Sequence, residues 1–407
     1  MTESNFQLSG SDFVACPYST YARMRAEDPV YQHKSDQGDT IWYVTRYEDV
    51  QFVLRDKRFV LDWRNTLTDE ERSRMPSLSP AMRRLTRHLL SMDGAEHAGQ
   101  RALINKAFTN HAVEEMRERI EAIAEELIDS VVSHGRMDLI EDFALPLPMS
   151  IIMELLGVPG DDYRRFRAWS QIFVNENVGP VFQQRQKALA EFAAYLEPLI
   201  AERREHPRQD LLTALVQAES DGSTLSAEEI YSMAMLLLVA GHETSSNLIG
   251  NSVVALLQHP DQLAKLRRQP ELWEQAIEEL LRYGGSIEAA MLRFATEDLD
   301  LGDKRIRRGD AVRVLLTSAN RDETQFDHPE ALDLERPGGR HLAFGVGVHY
   351  CLGAPLARME AKIAIDTLLR RLPNLRIAEP LESLERVVAL GATQFRGLRH
   401  IPLAWDI

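Results

Sequence analysis

The chain has 407 residues and a formal net charge of −15 at neutral pH, with 44% hydrophobic and 27% charged residues. This is a globular composition, and the acidic balance argues against a nucleic-acid binder, which needs a basic face. Two cysteines, Cys16 and Cys351, cannot build a disulfide framework and fit a reducing compartment. The start, MTESNFQLSGSDFV, lacks the basic residues and apolar core of a signal peptide. The longest apolar stretch, MAMLLLVAG from Met233, is too short to span a bilayer. We therefore expect a soluble, cytoplasmic protein without a membrane span.

In chain order, the pattern predicts a short helix from Tyr18 to Asp28, stopped by Pro29. IWYVTRYEDVQFVLRD starts with alternating apolar residues, which predicts a strand pair and then a helix. Residues 62 to 91 read as a loop with short helices. From Gly94 nearly to Pro260 helical spacing dominates. Pro146 and Pro148 are expected to break it, before a helix closed by Gly157 and Pro159. LSAEEIYSMAMLLLVAGHETSSNLIGNSVVALLQHP predicts one long helix opened by a Ser226/Glu229 capping box. A helix of about 33 residues is roughly 50 Å long, and apolar residues around most of its circumference bury it.

A second β-rich region starts near Ala295, with two short strands around a Gly-Asp turn. Residues 323 to 343 show no period. Pro355 opens another helix, and strands return around Val387–Leu390 and His400–Ala404. The expectation is one mainly helical domain, 1–407, with small β-sheets. Its β-rich lobe covers about 30–60, 295–320 and 385–405, and its helical lobe the remainder.

FGVGVHYCLG, residues 344 to 353, holds Cys351 in a loop of three glycines. The GxGxxG spacing of a dinucleotide loop fails because position 350 is Tyr. A zinc site needs further nearby Cys or His. A nucleophile paired with His349 stays open, although residues two apart in a strand lie roughly 6.5 Å apart and no third group orients the imidazole. A buried inert thiol is another reading. A thiolate ligand to haem iron suits the physics. The positive end of the following helix favours a thiolate, and Gly353 lets backbone N–H groups approach the sulfur. Gly345 and Gly347 let the loop pass flat against a porphyrin, with Phe344 near the sulfur.

FGVGVHYCLGAPLAR resembles the haem-binding signature of the cytochrome P450 family, the haem-thiolate monooxygenases. His349 stands where the family usually has a basic residue. EELLRY contains the family's E-x-x-R as Glu279 and Arg282, which share one helix face at i,i+3, with Arg336 a candidate third member. AGHETS resembles the oxygen-activation motif. There the small Ala240 and Gly241 leave room for dioxygen, and Glu243 and Thr244 sustain a proton chain. The resemblance implies that His97, Arg101, Arg293 and His349 meet the haem propionates. NRDET departs from relatives that carry Pro after the Asp.

The resemblance runs from PYSTYARMRAEDPV to FRGLRHIPL. It implies the family's triangular, helix-rich fold around haem b (iron protoporphyrin IX), with Cys351 as axial thiolate. It also implies O2 as co-substrate, and a ferredoxin with an NAD(P)H-linked reductase as electron donors. Lys106 and Arg358 are candidates for docking that ferredoxin. A monomer is expected. Candidate pocket residues are Leu89, Leu90, Met235, Val239, Ile287, Ala290, Met291, Leu292, Thr393, Gln394 and Phe395. Most are apolar, so a lipophilic substrate is expected, hydroxylated or epoxidised. The look is closest to bacterial enzymes that tailor macrolides and other polyketides. A peroxide-driven fatty-acid peroxygenase, a non-enzymatic haem sensor and a cysteine hydrolase are the rival readings.

Overall fold

Val30–Lys34 and Thr40–Val44 pair antiparallel with Tyr31 opposite Tyr43, as the alternating pattern predicts. Thr40–Val44 also pairs in parallel with Ala311–Val314. Arg293–Ala295 and then Phe59–Val60 complete a five-stranded sheet. Helix Tyr47–Arg55 lays Tyr47, Val50, Val53 and Leu54 into the cluster that holds Trp42, Val44, Val312 and Val314. Each such side chain contributes about 1.5–3 kcal/mol by leaving water. Leu299–Leu301 and Lys304–Ile306 form the expected hairpin. Gly302 turns it at φ 59°, a left-handed value that suits glycine.

The computed structural model describes residues 6–8, 10–34, 40–75, 88–174, 180–220, 223–337, 339–388 and 394–407. The chain divides into two units. The first comprises Met1–Met75, Gly250–Cys351 and Pro380–Arg399; the second comprises Pro76–Ile249, Leu352–Glu379 and His400–Ile407. The first holds the sheet above and a smaller one of Arg386–Val388, Gln394–Leu398 and Ile287–Ala289. The strand expected to reach Leu390 ends at Val388, and residues 389 to 393, Thr393 among them, lie outside the described residues.

The second unit is mainly helical. Helices Tyr163–Val174 and Pro180–Glu205 meet through edge-on packing of Phe166, Trp169, Phe192 and Tyr195. Helix Ala354–Arg371 packs on Arg117–Val131. The long helix is Ala227–Gln258, 32 residues. Its capping box is formed: Glu229 N–H donates to Ser226 Oγ at 3.3 Å, and Ser226 N–H donates to Glu229 Oε2 at 2.9 Å.

Two sequence expectations are corrected here. Pro146 and Pro148 do not precede the helix; they occupy its first turn, in Pro146–Leu155, where a missing N–H costs nothing. The helical stretch is also interrupted, by the strand Arg136–Asp138 and the hairpin Glu219–Ser220 with Ser223–Thr224. Short pieces stabilised by pairing to distant strands, as Arg136–Asp138 is to Pro402–Ala404, leave no local period to read. Among the described residues no helix is long and apolar enough to cross a membrane.

Candidate functional site

Gly345 and Gly347 both have left-handed φ, 67° and 83°. A Cβ on Gly347 would stand 2.9 Å from the carbonyl oxygen of Leu54, so only glycine fits there. These turns fold the 344–351 segment back on itself, and Cys351 N–H donates to the Phe344 carbonyl at 3.0 Å. The Phe344 ring packs edge-on to Tyr350 and tilted against His341. Leu342 N–H, bonded to Asn320 Oδ1 at 2.6 Å, anchors the near end of the loop. Cys351 is half-buried, whereas Cys16 is exposed.

Glu279 and Arg282, on helix Trp273–Gly284, form a fully buried pair with bonds of 2.7 and 2.8 Å. Arg336 joins them at 3.1 Å from Glu279 Oε2. The guanidinium of Arg282 also donates to the carbonyls of Asn320, Pro329 and Ala331 at 2.8–3.0 Å. Glu279 accepts from Asp333 N–H at 3.0 Å. Two charges and a carboxylate thus supply the hydrogen bonds that 323–336, a segment without regular structure, lacks. This explains why that segment has no sequence period.

In the second unit the long helix presents the acid and the alcohol in succession. Thr244 Oγ1 donates to the Ala240 carbonyl at 2.7 Å. Glu243 Oε1 lies 3.3 Å from His242 Nε2, and its side chain is 20% exposed. Burial pushes the Glu243 carboxyl up, but His242 and the positive Arg167 more than offset this and hold it below its ordinary value. Arg167 in turn pairs with Glu141. A Cβ on Gly241 would intrude on the Ile152 side chain. The small size of this glycine admits helix Pro146–Leu155.

His97 is buried and Arg101 half-buried on helix Gly94–Ala107, one turn apart. Arg293 is buried in its strand, and His349 lies in the Cys351 loop. Of the pocket candidates, Leu89 and Met235 belong to the core of the second unit, and Val239 packs against it. Ile287 and Ala290 pack against the core of the first unit. Strand pairing sets Phe395 opposite Ile287 and Gln394 opposite Ala289. Leu90, Met291 and Leu292 are half-buried. The side chains of Lys106 and Gln394 lie outside the described residues.

Two residues escaped the sequence reading. His242 sits inside the AGHETS motif, directly before the acid and the alcohol. Glu360 is fully buried on helix Ala354–Arg371, and no hydrogen bond of good geometry reaches its oxygens. Burial pushes its carboxyl up to about 8, with Ser245 a small opposing influence. Its signal was an acid among the apolar residues Leu356, Met359, Ala361 and Ile363.

A family model described as "Cytochrome P450" matches residues 17–375. The chain is 44% identical over 400 residues to the "Cytochrome P450 monooxygenase PikC" of Streptomyces venezuelae, across 97% of this chain and 92% of that one. It is 39% identical over 387 residues to the "Mycinamicin IV hydroxylase/epoxidase" of Micromonospora griseorubida, across 95% and 94%. The solved structure of the bacillaene polyketide synthase cytochrome P450 PksS of Bacillus subtilis superposes with a TM-score of 0.91 at 36% identity, covering 99% of this chain and all of that one. The chain belongs to the cytochrome P450 family. It is a haem-thiolate monooxygenase, using haem b, O2 and external redox partners.

The residues present fit that cofactor. A Cβ on Gly345 or Gly353 would meet no atom within 4 Å, so neither position is filled by the protein itself.

Proposed function

We propose that the protein adds one oxygen atom from O2 to a lipophilic small molecule of polyketide or macrolide type, as a hydroxyl or an epoxide. The electrons come from a separate ferredoxin and its NAD(P)H-linked reductase. The relatives named for mycinamicin and bacillaene chemistry support this substrate class, as does the apolar character of Ile287, Ala290, Met291, Leu292 and Phe395.

Bound through the Cys351 thiolate, haem supplies oxygen activation and atom transfer. The chain's own groups do the rest. The positive end of helix Ala354–Arg371 favours the thiolate over the thiol. His97, Arg101, Arg293 and His349 would hold the haem propionates. Glu243 takes protons from solvent, to which it is partly open, and passes them toward the Thr244 hydroxyl. Thr244 holds a proton at Oγ1, kept in place by the Ala240 carbonyl. Arg282, Glu279 and Arg336 are structural.

The observation that carries this reading is the adjacency of Glu243, whose carboxyl is held below its ordinary value by His242 and Arg167, to a Thr244 hydroxyl seated on the helix backbone. The test compares NADPH with ferredoxin and reductase against hydrogen peroxide alone, on compounds chosen because they shift the iron spin state. Isotopically heavy O2 appearing in the product supports the reading. Peroxide alone matching the ferredoxin-driven rate overturns it in favour of a peroxygenase.

A further inference from the structure

His242 is fully buried, and both of its ring nitrogens face oxygen. Nδ1 meets the Leu238 carbonyl. Nε2 lies 3.1 Å from Ser170 Oγ and 3.3 Å from Glu243 Oε1. A carbonyl oxygen only accepts, so Nδ1 carries a hydrogen and the tautomer is settled. The lone pair of Nε2 would then confront an ionised carboxylate unless a proton stands between them. Ser170 can donate to Nε2, but it cannot relieve that second confrontation.

From this geometry we infer that His242 and Glu243 share one proton between Nε2 and Oε1, and that His242 is a positioning residue that reloads Glu243. The inference rests on the reading of Glu243 as the proton-delivering acid. In the resting pair the proton sits on Nε2 and the carboxyl is ionised. During turnover the Nε2–H bond breaks and Oε1–H forms, leaving imidazole and carboxylic acid, both neutral. Glu243 then gives that proton toward Thr244, and a hydronium proton from bulk solvent, entering at the exposed edge of the carboxylate, restores the shared proton and leaves water behind. No electron moves.

The charged and titratable groups facing the pair support this order. On helix Tyr163–Val174 it is Arg167, which favours the ionised carboxyl. Glu141, from the turn Ile140–Ala144, is tied to Arg167. Arg167 is thus held beside Glu243 from a second element, and a histidine proton is the remaining means of keeping the carboxyl paired on the His242 side.

The test needs no mutant to begin. Histidine labelled with nitrogen-15 is followed by NMR in the reduced, carbon-monoxide-bound enzyme, which is diamagnetic. The His242 resonances are identified by their loss in His242→Gln. At the pH of maximal turnover the expected result is an imidazolium with both nitrogens protonated, converting in Glu243→Gln to a neutral ring with its hydrogen on Nδ1. Ser170→Ala should leave the imidazolium intact. A neutral ring in the wild type overturns the inference, as does conversion by Ser170→Ala but not by Glu243→Gln. Should His242→Gln fail to fold, the wild type and Glu243→Gln still decide. Unchanged turnover and peroxide leakage in Glu243→Gln would overturn the role of Glu243 instead, while the spectra still judge the pair.

Discussion

The hydroxyl of Thr244 donates to the carbonyl of Ala240 at 2.7 Å, one turn back along the same helix. That carbonyl is also the ordinary acceptor for the Thr244 backbone N–H, so the hydroxyl competes with the helix and loosens it locally. Thr244→Val keeps the side chain's shape and removes both the proton and the competition. Product formation is expected to fall about 100-fold while NADPH consumption continues as peroxide. Thr244→Ser should recover most of the coupling. The ratio of product to NADPH measures both.

Glu279→Gln leaves the buried guanidinium of Arg282 and the nearby Arg336 without their carboxylate. Breaking such a pair from one side costs about 3–5 kcal/mol. Thermal unfolding should drop by many degrees, and the yield of haem-loaded protein should collapse. An unchanged melting temperature contradicts the structural role.

Glu360 gives the protein a pH dependence of known sign. Its carboxyl is raised from 4.5 to about 8 in the folded state. The folded state therefore holds this proton more tightly than the unfolded one. Its stabilising effect is complete below pH 4.5 and is lost as pH rises through about 8. At about 1.4 kcal/mol per unit the loss is on the order of 5 kcal/mol. Glu360→Gln should flatten the fall in melting temperature between pH 6 and pH 9, whereas an equal fall in both proteins would show that Glu360 is already ionised at neutral pH.

Gly241→Ala tests the helix contact. The added methyl intrudes on Ile152, and overpacking of this kind costs about 1–3 kcal/mol. Ile152→Ala in the same chain should return part of that loss, giving a favourable coupling in a double-mutant cycle. Additive effects would place the cause elsewhere.

The periodic parts of the chain were legible because their cause is local. The Ser226/Glu229 box announces the long helix, and the alternation in IWYV announces a strand. The Glu279–Arg282 pair was legible as spacing, but its purpose was not. Its acceptors, the carbonyls of Asn320, Pro329 and Ala331, lie 38 to 49 residues away. His242 could not be assigned from sequence because its meaning depends on Ser170, 72 positions earlier. Prolines 146 and 148 carry opposite signals in a helix interior and in its first turn, and only the helix start decides between them.

Cys351 would deliver the thiolate that holds the haem. The carbon-monoxide difference spectrum of the reduced protein tests this most directly. The account predicts the strongly red-shifted Soret band of thiolate-ligated haem in the wild type and in Cys16→Ser, and its loss in Cys351→Ser. A wild type without that band, or a Cys351→Ser protein that retains it, would contradict the account.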